Sequence, residues 1–535
     1  MDETNAWVRG LFRRAADHAA DYRESVGERR VGASEGFAEV LAGFLRPLGS
    51  AGRPAVEVVD ELVRIADSGL VSSTGPRYFG FVVGGALPAA TAAEMLAAGW
   101  DQNAWNSALS PTSAAAEQAA GDWLKELLGL PANASAGFVT GAQAANTVAL
   151  AAARNHVLAQ VGWDVEANGL NGAPKVRILA GDERHATIDR SLRLLGFGTN
   201  SLELVRTKAN GVIDLDDLRA RLAGNQDPLI VCLQAGNVNT GATDALTEAC
   251  QIVRHHSIPA APHLASAGGT ATVDGDTSSA ATAGHAADAD AAATTGTAAD
   301  AGNAATAGHA ADADAAATTG SAADAGGAAA GRRAGWVHVD GAFGLWAAVG
   351  AGVRDQVAGV ELADSWGCDG HKWLNLPYDS GFVFTAHPES HYAALALTAS
   401  YMVDSGEREP GDYAMESSRR ARGLAVWAGL QELGRDGVSA VVDRCCALAR
   451  RFAGQLEAAG CEIGNEVVLN QVLVSFGSDA ETDRVIAAVQ DEGVCWMGGT
   501  TWRNRRYMRI SVSNHLTTES DVDRSIQSIL TAHSA

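Results

Sequence analysis

Between residues 137 and 385, short apolar runs alternate with stretches of helical periodicity, and no feature restricts the architecture of this chain more. The runs fall at 137–140, 176–180, 229–233, 337–340 and 381–384. Strands separated by helices form a mostly parallel sheet with helices on both faces, an α/β architecture. Sheets of that kind bind ligands at the carboxyl ends of their strands. Polar and small residues gather there: Gly141, Ala142 and Gln143 after the first run, His185 after the second, Asn239 and Thr240 after the third. Asp340 closes the fourth, and Lys372 stands between His371 and Trp373 just ahead of the fifth. The Ala-rich helix expected after Gln143 begins on small residues. Backbone N–H groups and the helix dipole favour an anion at such a start, so the turn is a phosphate cradle in physical terms.

A lysine between a histidine and a tryptophan, just before an apolar strand, is oddly placed for a solvated charge. One explanation is a surface lysine at a strand end. The other is a lysine that forms a Schiff base with pyridoxal phosphate, with Asp340 as partner to the pyridinium nitrogen. The two segments together, HVDGAFG (338–344) and DGHKW (369–373), favour the second. They resemble the group II pyridoxal-phosphate-dependent amino-acid decarboxylases, relatives of the aromatic-amino-acid and glutamate decarboxylases. CWMGGTTW (495–502) and RRYMRISVSNHLTT (505–518) match the C-terminal pattern of the same family.

The resemblance covers nearly the whole chain and implies a fold-type I transferase fold. Its large domain would hold a mostly parallel seven-stranded sheet, next to a small C-terminal α/β domain and a helical N-terminal arm. The expected bounds are 1–75 for the arm, 76–385 for the large domain and 386–535 for the small one. The implied reaction releases CO2 and an amine from an L-amino acid through a Lys372 Schiff base, with His185 stacked on the cofactor ring. Asp340, Ala342, Asn239, Gly141, Ala142, Gln143 and His371 would bind the cofactor, His371 as a side-chain donor to its phosphate. Arg77, Tyr78, Phe79, Trp105 and Tyr413 would face the substrate. The arm would wrap the partner subunit of a homodimer whose active site lies at the interface.

Three positions depart from the family pattern. Gly75-Pro76 stands where relatives carry His-Pro, and Val238 and Asn239 where a turn is often rich in threonine. In the stretch 401–418 the place of a proton-donating tyrosine falls near Pro410, with Tyr413 a few residues later. Loss of that tyrosine goes with oxygen-consuming aldehyde formation in the family. An aldehyde synthase therefore stands as the alternative, beside an aminotransferase, a carbon–sulfur lyase, or a protein that binds the cofactor without turnover.

At 535 residues with 47% apolar content the chain suits two or three domains with sizeable cores. A formal charge of −23 argues against nucleic acid and anionic membranes as partners. There is no apolar run of membrane-spanning length, and the charged N-terminal stretch lacks the apolar core of a signal peptide. Seven scattered cysteines without a CxxC pair suit a reducing cytoplasm and point to no zinc site or disulfide framework. From about 262 to 335 the composition collapses to Ala, Thr, Gly and Asp, and AATAGHAADADAAATTG begins at Ala280 and again at Ala304. Such a segment buries too little apolar surface to offset its ordering entropy, so it reads as a disordered insertion rather than a metal site built on His285 and His309.

Overall fold

A computed structural model of the chain describes residues 3–256, 258–259, 332–333, 335–397, 400 and 406–535. The repeats beginning at Ala280 and Ala304 lie outside the described residues, as do 401–405 of the stretch where the family places a proton-donating tyrosine. The elements that build the site all belong to one unit of the chain, Met1–Pro259 with Arg333–Ala535.

Seven strands form the main sheet: β1 Ser135–Val139, β2 Arg177–Gly181, β3 Leu202–Val205, β4 Leu229–Gln234, β5 Trp336–Asp340, β6 Ser365–Asp369 and β7 Gly381–Thr385. They lie in the order β1-β7-β6-β5-β4-β2-β3, and only β7 runs against the rest. Every residue of β1, β5, β6 and β7 is buried, which is why the runs of β1 and β7 are continuously apolar or small rather than alternating. Trp336, Trp346 and Trp366 are fully buried, and each indole N–H has an acceptor: Ser365 Oγ, the Asp369 carbonyl and the Val360 carbonyl. Burial of that much aromatic surface, on the order of 150–250 Å² per ring, gives a large hydrophobic contribution at no cost in unpaired donors.

The strands β3 and β6 were not anticipated. In β6, SWGCD, serine, glycine and aspartate are poor strand formers, and pairing with β5 and β7 on both sides supplies what propensity does not.

Helices α1 Glu3–Ser25, α2 Phe37–Phe44 and α3 Ala55–Ala66 open the chain, the last with Pro54 as its N-cap. Neither α2 nor α3 buries a residue, and Phe37, Phe44 and Leu62 are exposed. Two further helices follow, α4 Pro88–Trp100 and α5 Pro111–Leu127, and the Ser110 hydroxyl caps α5 by accepting from Ser113 N (3.4 Å). Helix α6, Ala142–Ala159, lies across β5, β6 and β7. Its alanines allow a close approach.

Helix α7, Ala186–Leu194, follows β2. The long helix α8, Arg422–Ala458, is interrupted at Gly434, whose φ of +60° needs a glycine. At the N-terminal end of α8, Arg419 pairs with Glu117 of α5 (2.6 Å) with both side chains buried, and also donates to the Phe138 carbonyl (2.8 Å). This pair ties α5, β1 and α8 together. A four-stranded antiparallel sheet completes the fold: β8 Glu462–Ile463, β9 Gln471–Ser475, β10 Gly498–Trp502 and β11 Arg505–Ser511, in the order β8-β9-β11-β10. Helices α9 Asp479–Glu492 and α10 Glu519–Ser534 accompany it. Among the described residues no helix is long and apolar enough to cross a membrane.

Candidate active site

The carboxyl ends of β1, β2, β4, β5 and β6 lie on one side of the sheet and open on a cavity of about 610 Å³. Lys372 enters it from the turn after β6, with its Nζ 3.0 Å from Asp369 Oδ2. Asp369 Oδ1 accepts the Ala142 N–H at the start of α6 and lies 3.5 Å from His371 Nε2. One buried carboxylate thus joins the lysine, the histidine and the helix start. The sequence places Asp369 in DGHKW, but nothing in its spacing announces this role.

The lysine turn is held from outside the sheet. Gly84 N donates to the His371 carbonyl (3.3 Å), and a Cβ at Gly84 would sit 1.8 Å from the Lys372 carbonyl oxygen. Asn375, buried at a φ of +56°, accepts from Gly85 N and from His515 N (2.9 Å). Its amide nitrogen donates to the Trp373 carbonyl (2.9 Å) and the Ser513 carbonyl (3.1 Å). Two segments remote in sequence, at 84–85 and 513–515, therefore converge on the turn that carries the lysine.

Gly141 caps α6, and Gly141, Ala142 and Gln143 line the cavity. The Gln143 side chain turns aside to Ser191 Oγ (3.1 Å), which leaves this corner to the helix backbone. His371 Nδ1 accepts from Ser380 N (3.3 Å), so its proton sits on Nε2, toward Asp369 and the helix start. Burial pushes the His371 pKa down, against the pull of Asp369. On the opposite wall, Asp340 Oδ2 accepts from Asn146 Nδ2 (3.0 Å) and Thr187 Oγ1 (3.4 Å), and Oδ1 from Ala342 N (3.3 Å). His185 caps α7, with Nδ1 accepting from Thr187 N (3.3 Å), and its ring lines the cavity. The capping role that a lone histidine near a helix start suggests is present together with a place in the site.

An anion-binding corner, a primary amine, an imidazole wall and a carboxylate share this cavity. They match a phosphate, a carbonyl carbon, a flat ring and a ring nitrogen, so the donor set fits pyridoxal phosphate. Among the described residues no cluster of histidine, cysteine and carboxylate is suited to a metal ion.

Of the residues expected at the site, Gly141, Ala142, Gln143, His185, Asp340, Ala342, His371 and Lys372 come together. The others lie away from the cavity of their own chain. Asn239 Oδ1 accepts from Thr500 Oγ1 (2.9 Å). Arg77 is buried against the Val494 carbonyl (2.8 Å) and Asp521 (3.3 Å). Tyr78 stacks on Trp496 (5.1 Å), and Phe79 packs edge-on to Phe452 (5.0 Å). The Trp105 carbonyl accepts from Gly411 N (2.7 Å), and the Tyr413 ring lies under Arg408 (4.2 Å) and beside His391 (5.0 Å).

Phe81, Val82 and Arg509 line the cavity in their place. Arg509 is half-buried, desolvation lowers its pKa, and its hydrogen bond goes to the Val238 carbonyl (3.3 Å). No described carboxylate pairs with it. Strand alternation in RRYMRIS could have flagged it, since it faces the same side as buried Tyr507 and Ser511.

The pyridoxal-dependent decarboxylase conserved domain matches residues 51–272 and 325–477. An aromatic-L-amino-acid decarboxylase of Bacillus atrophaeus is 23% identical over 469 residues, 83% of this chain and 78% of its own length. A 4-hydroxyphenylacetaldehyde synthase of Rhodiola rosea is 22% identical over 480 residues, 85% of this chain and 80% of its own. The crystal structure of Oryza sativa TDC with PLP and tryptamine superposes with a TM-score of 0.79 at 19% identity, covering 100% of this chain and 98% of that one.

Gly84→Ala tests how far the lysine turn depends on its clamp. The added methyl cannot coexist with the Lys372 carbonyl, so the protein is expected to fold yet lose pyridoxal phosphate on gel filtration. Gly99→Ala, with nothing within 4 Å, is expected to retain it. Retention by both, measured by absorbance, would show that the turn does not need the clamp.

Proposed function

The chain belongs to the pyridoxal-dependent decarboxylase family, and from that premise we propose that it releases CO2 from an L-amino acid to leave the amine. Its cofactor is pyridoxal 5′-phosphate. The observation that supports this most is the meeting of Lys372, Asp340, His185, His371 and the start of α6 in one cavity. When bound, the cofactor supplies an electron-withdrawing ring that accepts the pair left behind as the Cα–carboxylate bond breaks.

Lys372 Nζ is the amine that would hold it covalently, and Asp369 keeps that amine in place at 3.0 Å. The N–H groups at the start of α6 and His371 Nε2–H would hold the phosphate, and Asp340 the ring nitrogen. The Ala342 methyl and the His185 imidazole would flank the ring. His185 Nδ1 is taken by Thr187, so Nε2 is the nitrogen left to carry a proton to the substrate. Arg509 would hold a carboxylate of the substrate, while Phe81, Val82 and Phe343 exclude water around it.

Purified protein loaded with cofactor is expected to release CO2 from one class of amino acid in a panel. Lys372→Ala is expected to release none, and borohydride is expected to fix the cofactor's mass on the Lys372 peptide of the wild type. Absence of CO2 from every amino acid would sink the decarboxylase reading. A different outcome on the same site, aldehyde with ammonia and peroxide, is favoured by the packing of Tyr413 against Arg408 and His391 rather than on the cavity. Assaying ammonia and peroxide beside CO2 separates the two.

Arg509→Met should raise KM about tenfold or more, the scale of a hydrogen bond to a charged group, with a smaller effect on kcat. An unchanged KM would remove Arg509 from substrate binding.

The exposed faces of α2 and α3 support an arm that covers a second copy of the chain, making a homodimer with the site at its interface. Sedimentation at micromolar concentration should give twice the 55.0 kDa chain mass, and a monomer would refute it. All seven cysteines are buried thiols, which suits the reducing cytoplasm.

A further inference from the structure

Asp340 ends a line of hydrogen bonds that runs through the buried heart of the sheet. Trp336 Nε1 donates to Ser365 Oγ (2.8 Å), and Ser365 Oγ meets His338 Nδ1 (2.9 Å). His338 Nε2 meets Asn146 Oδ1 (3.0 Å), and Asn146 Nδ2 reaches Asp340 Oδ2 (3.0 Å). Ser365, His338 and Asn146 are 0% exposed, and none of them lines the cavity.

The two ends give the line a direction. An indole N–H can only donate, and an ionised carboxylate can only accept. Ser365 accepts from Trp336 and keeps its single proton free for Nδ1, while the Asp340 end fixes which way the rest of the line runs. His338 then carries its own proton on Nε2 and donates it to the Asn146 carbonyl, which turns the amide N–H groups toward Asp340. The opposite polarity would set the Asn146 carbonyl oxygen against the Asp340 carboxylate with no water to separate them. Burial holds His338 neutral, its pKa pushed down to about 4 against the pull of Asp340, as one proton per link requires.

Space for the line has been cleared in the strand beside it. A Cβ at Gly367, in the middle of β6, would lie 2.6 Å from Asn146 Oδ1 and 3.3 Å from Ala145 Cβ. Glycine weakens a strand interior, and its presence there marks a close approach.

We propose that Asn146 and His338 are positioning residues for the cofactor, whose directed hydrogen bonds fix the Asp340 carboxylate for the ring nitrogen. The proposal rests on Asp340 being the partner of that nitrogen, as proposed for the site.

Two measurements on the full chain test it. In protein carrying ¹⁵N-histidine, with His338 assigned by comparison with His338→Gln, the His338 signals are expected to show Nε2 protonated and Nδ1 bare at neutral pH. A proton on Nδ1, or on both nitrogens, would overturn the proposal, and this needs no folded variant beyond the one used for assignment. Titration of resolved enzyme with pyridoxal phosphate gives the second readout. Asn146→Ala and His338→Leu are expected to weaken binding about tenfold or more. His338→Gln, which keeps an N–H near the Nε2 position, should recover most of that loss.

Asp340→Ala should weaken binding at least as much, and in its background Asn146→Ala should add nothing. If Asp340→Ala leaves binding unchanged, the reading of Asp340 itself falls. If Asp340→Ala weakens binding but Asn146→Ala and His338→Leu do not, or if Asn146→Ala weakens it equally with Asp340 absent, only the positioning role falls.

Discussion

The close contact between α6 and the strands beneath it is the constraint on which the site depends. Gly381 and Gly141 meet so tightly that a Cβ on Gly381 would lie 2.4 Å from the Gly141 Cα. Gly367 makes the same allowance farther along. Alanines fill most of the buried face of the helix, so it sits low on the sheet and its first turn comes level with the strand ends. Larger residues would lift the helix by a side chain's width. The helix start would then no longer share a cavity with Lys372, and Asn146 would no longer reach Asp340.

The large sheet was legible because its strands are buried on both faces and therefore read as unbroken apolar runs. The residues at the ends of those runs were legible for the same reason, since a parallel sheet delivers strand ends to one side. Asp340, His185 and Gly141 to Gln143 could be placed near strand ends in that way, but their roles toward the cofactor, and that of Lys372, came from the resemblance of HVDGAFG and DGHKW to a known family. β6 was hidden because SWGCD has little strand propensity and takes its structure from neighbours remote in sequence. Asp369 was hidden with it. Tyr78 and Phe79 belong to an aromatic segment that one chain packs into its own core, and a sequence does not say which side of such a segment faces a ligand. Arg509 was missed because an arginine at a strand position ordinarily reads as solvated, although the alternation of RRYMRIS sets it on the side of buried Tyr507 and Ser511.

Electrostatically the cavity is balanced where the rest of the molecule is acidic. The chain carries a formal charge of −23, while in the cavity Lys372, Arg509 and the positive end of α6 stand against Asp340 and Asp369. Asp369 holds the lysine and the helix start in register, because its carboxylate meets Lys372 Nζ and takes the Ala142 N–H at the corner where a phosphate would sit. A phosphate bound there would compete with a side chain for a donor as well as with water. His371, kept neutral by burial, offers a hydrogen bond there without adding a further charge.

Asn375 has a consequence of a different kind. Its side chain closes only when the backbone at 85, 373, 513 and 515 is present together, and those positions span most of the chain. During synthesis the first of these segments leaves the ribosome more than four hundred residues before the last (515 − 85 = 430). The main sheet has all its strands by Thr385, but the turn that presents Lys372 stays unfinished until residue 515 has emerged. A nascent chain stalled inside the small sheet would carry every residue of the anion corner and the lysine itself, yet no finished seat for it. Capture of a cofactor on that turn would then separate chains that have reached residue 515 from those that have not.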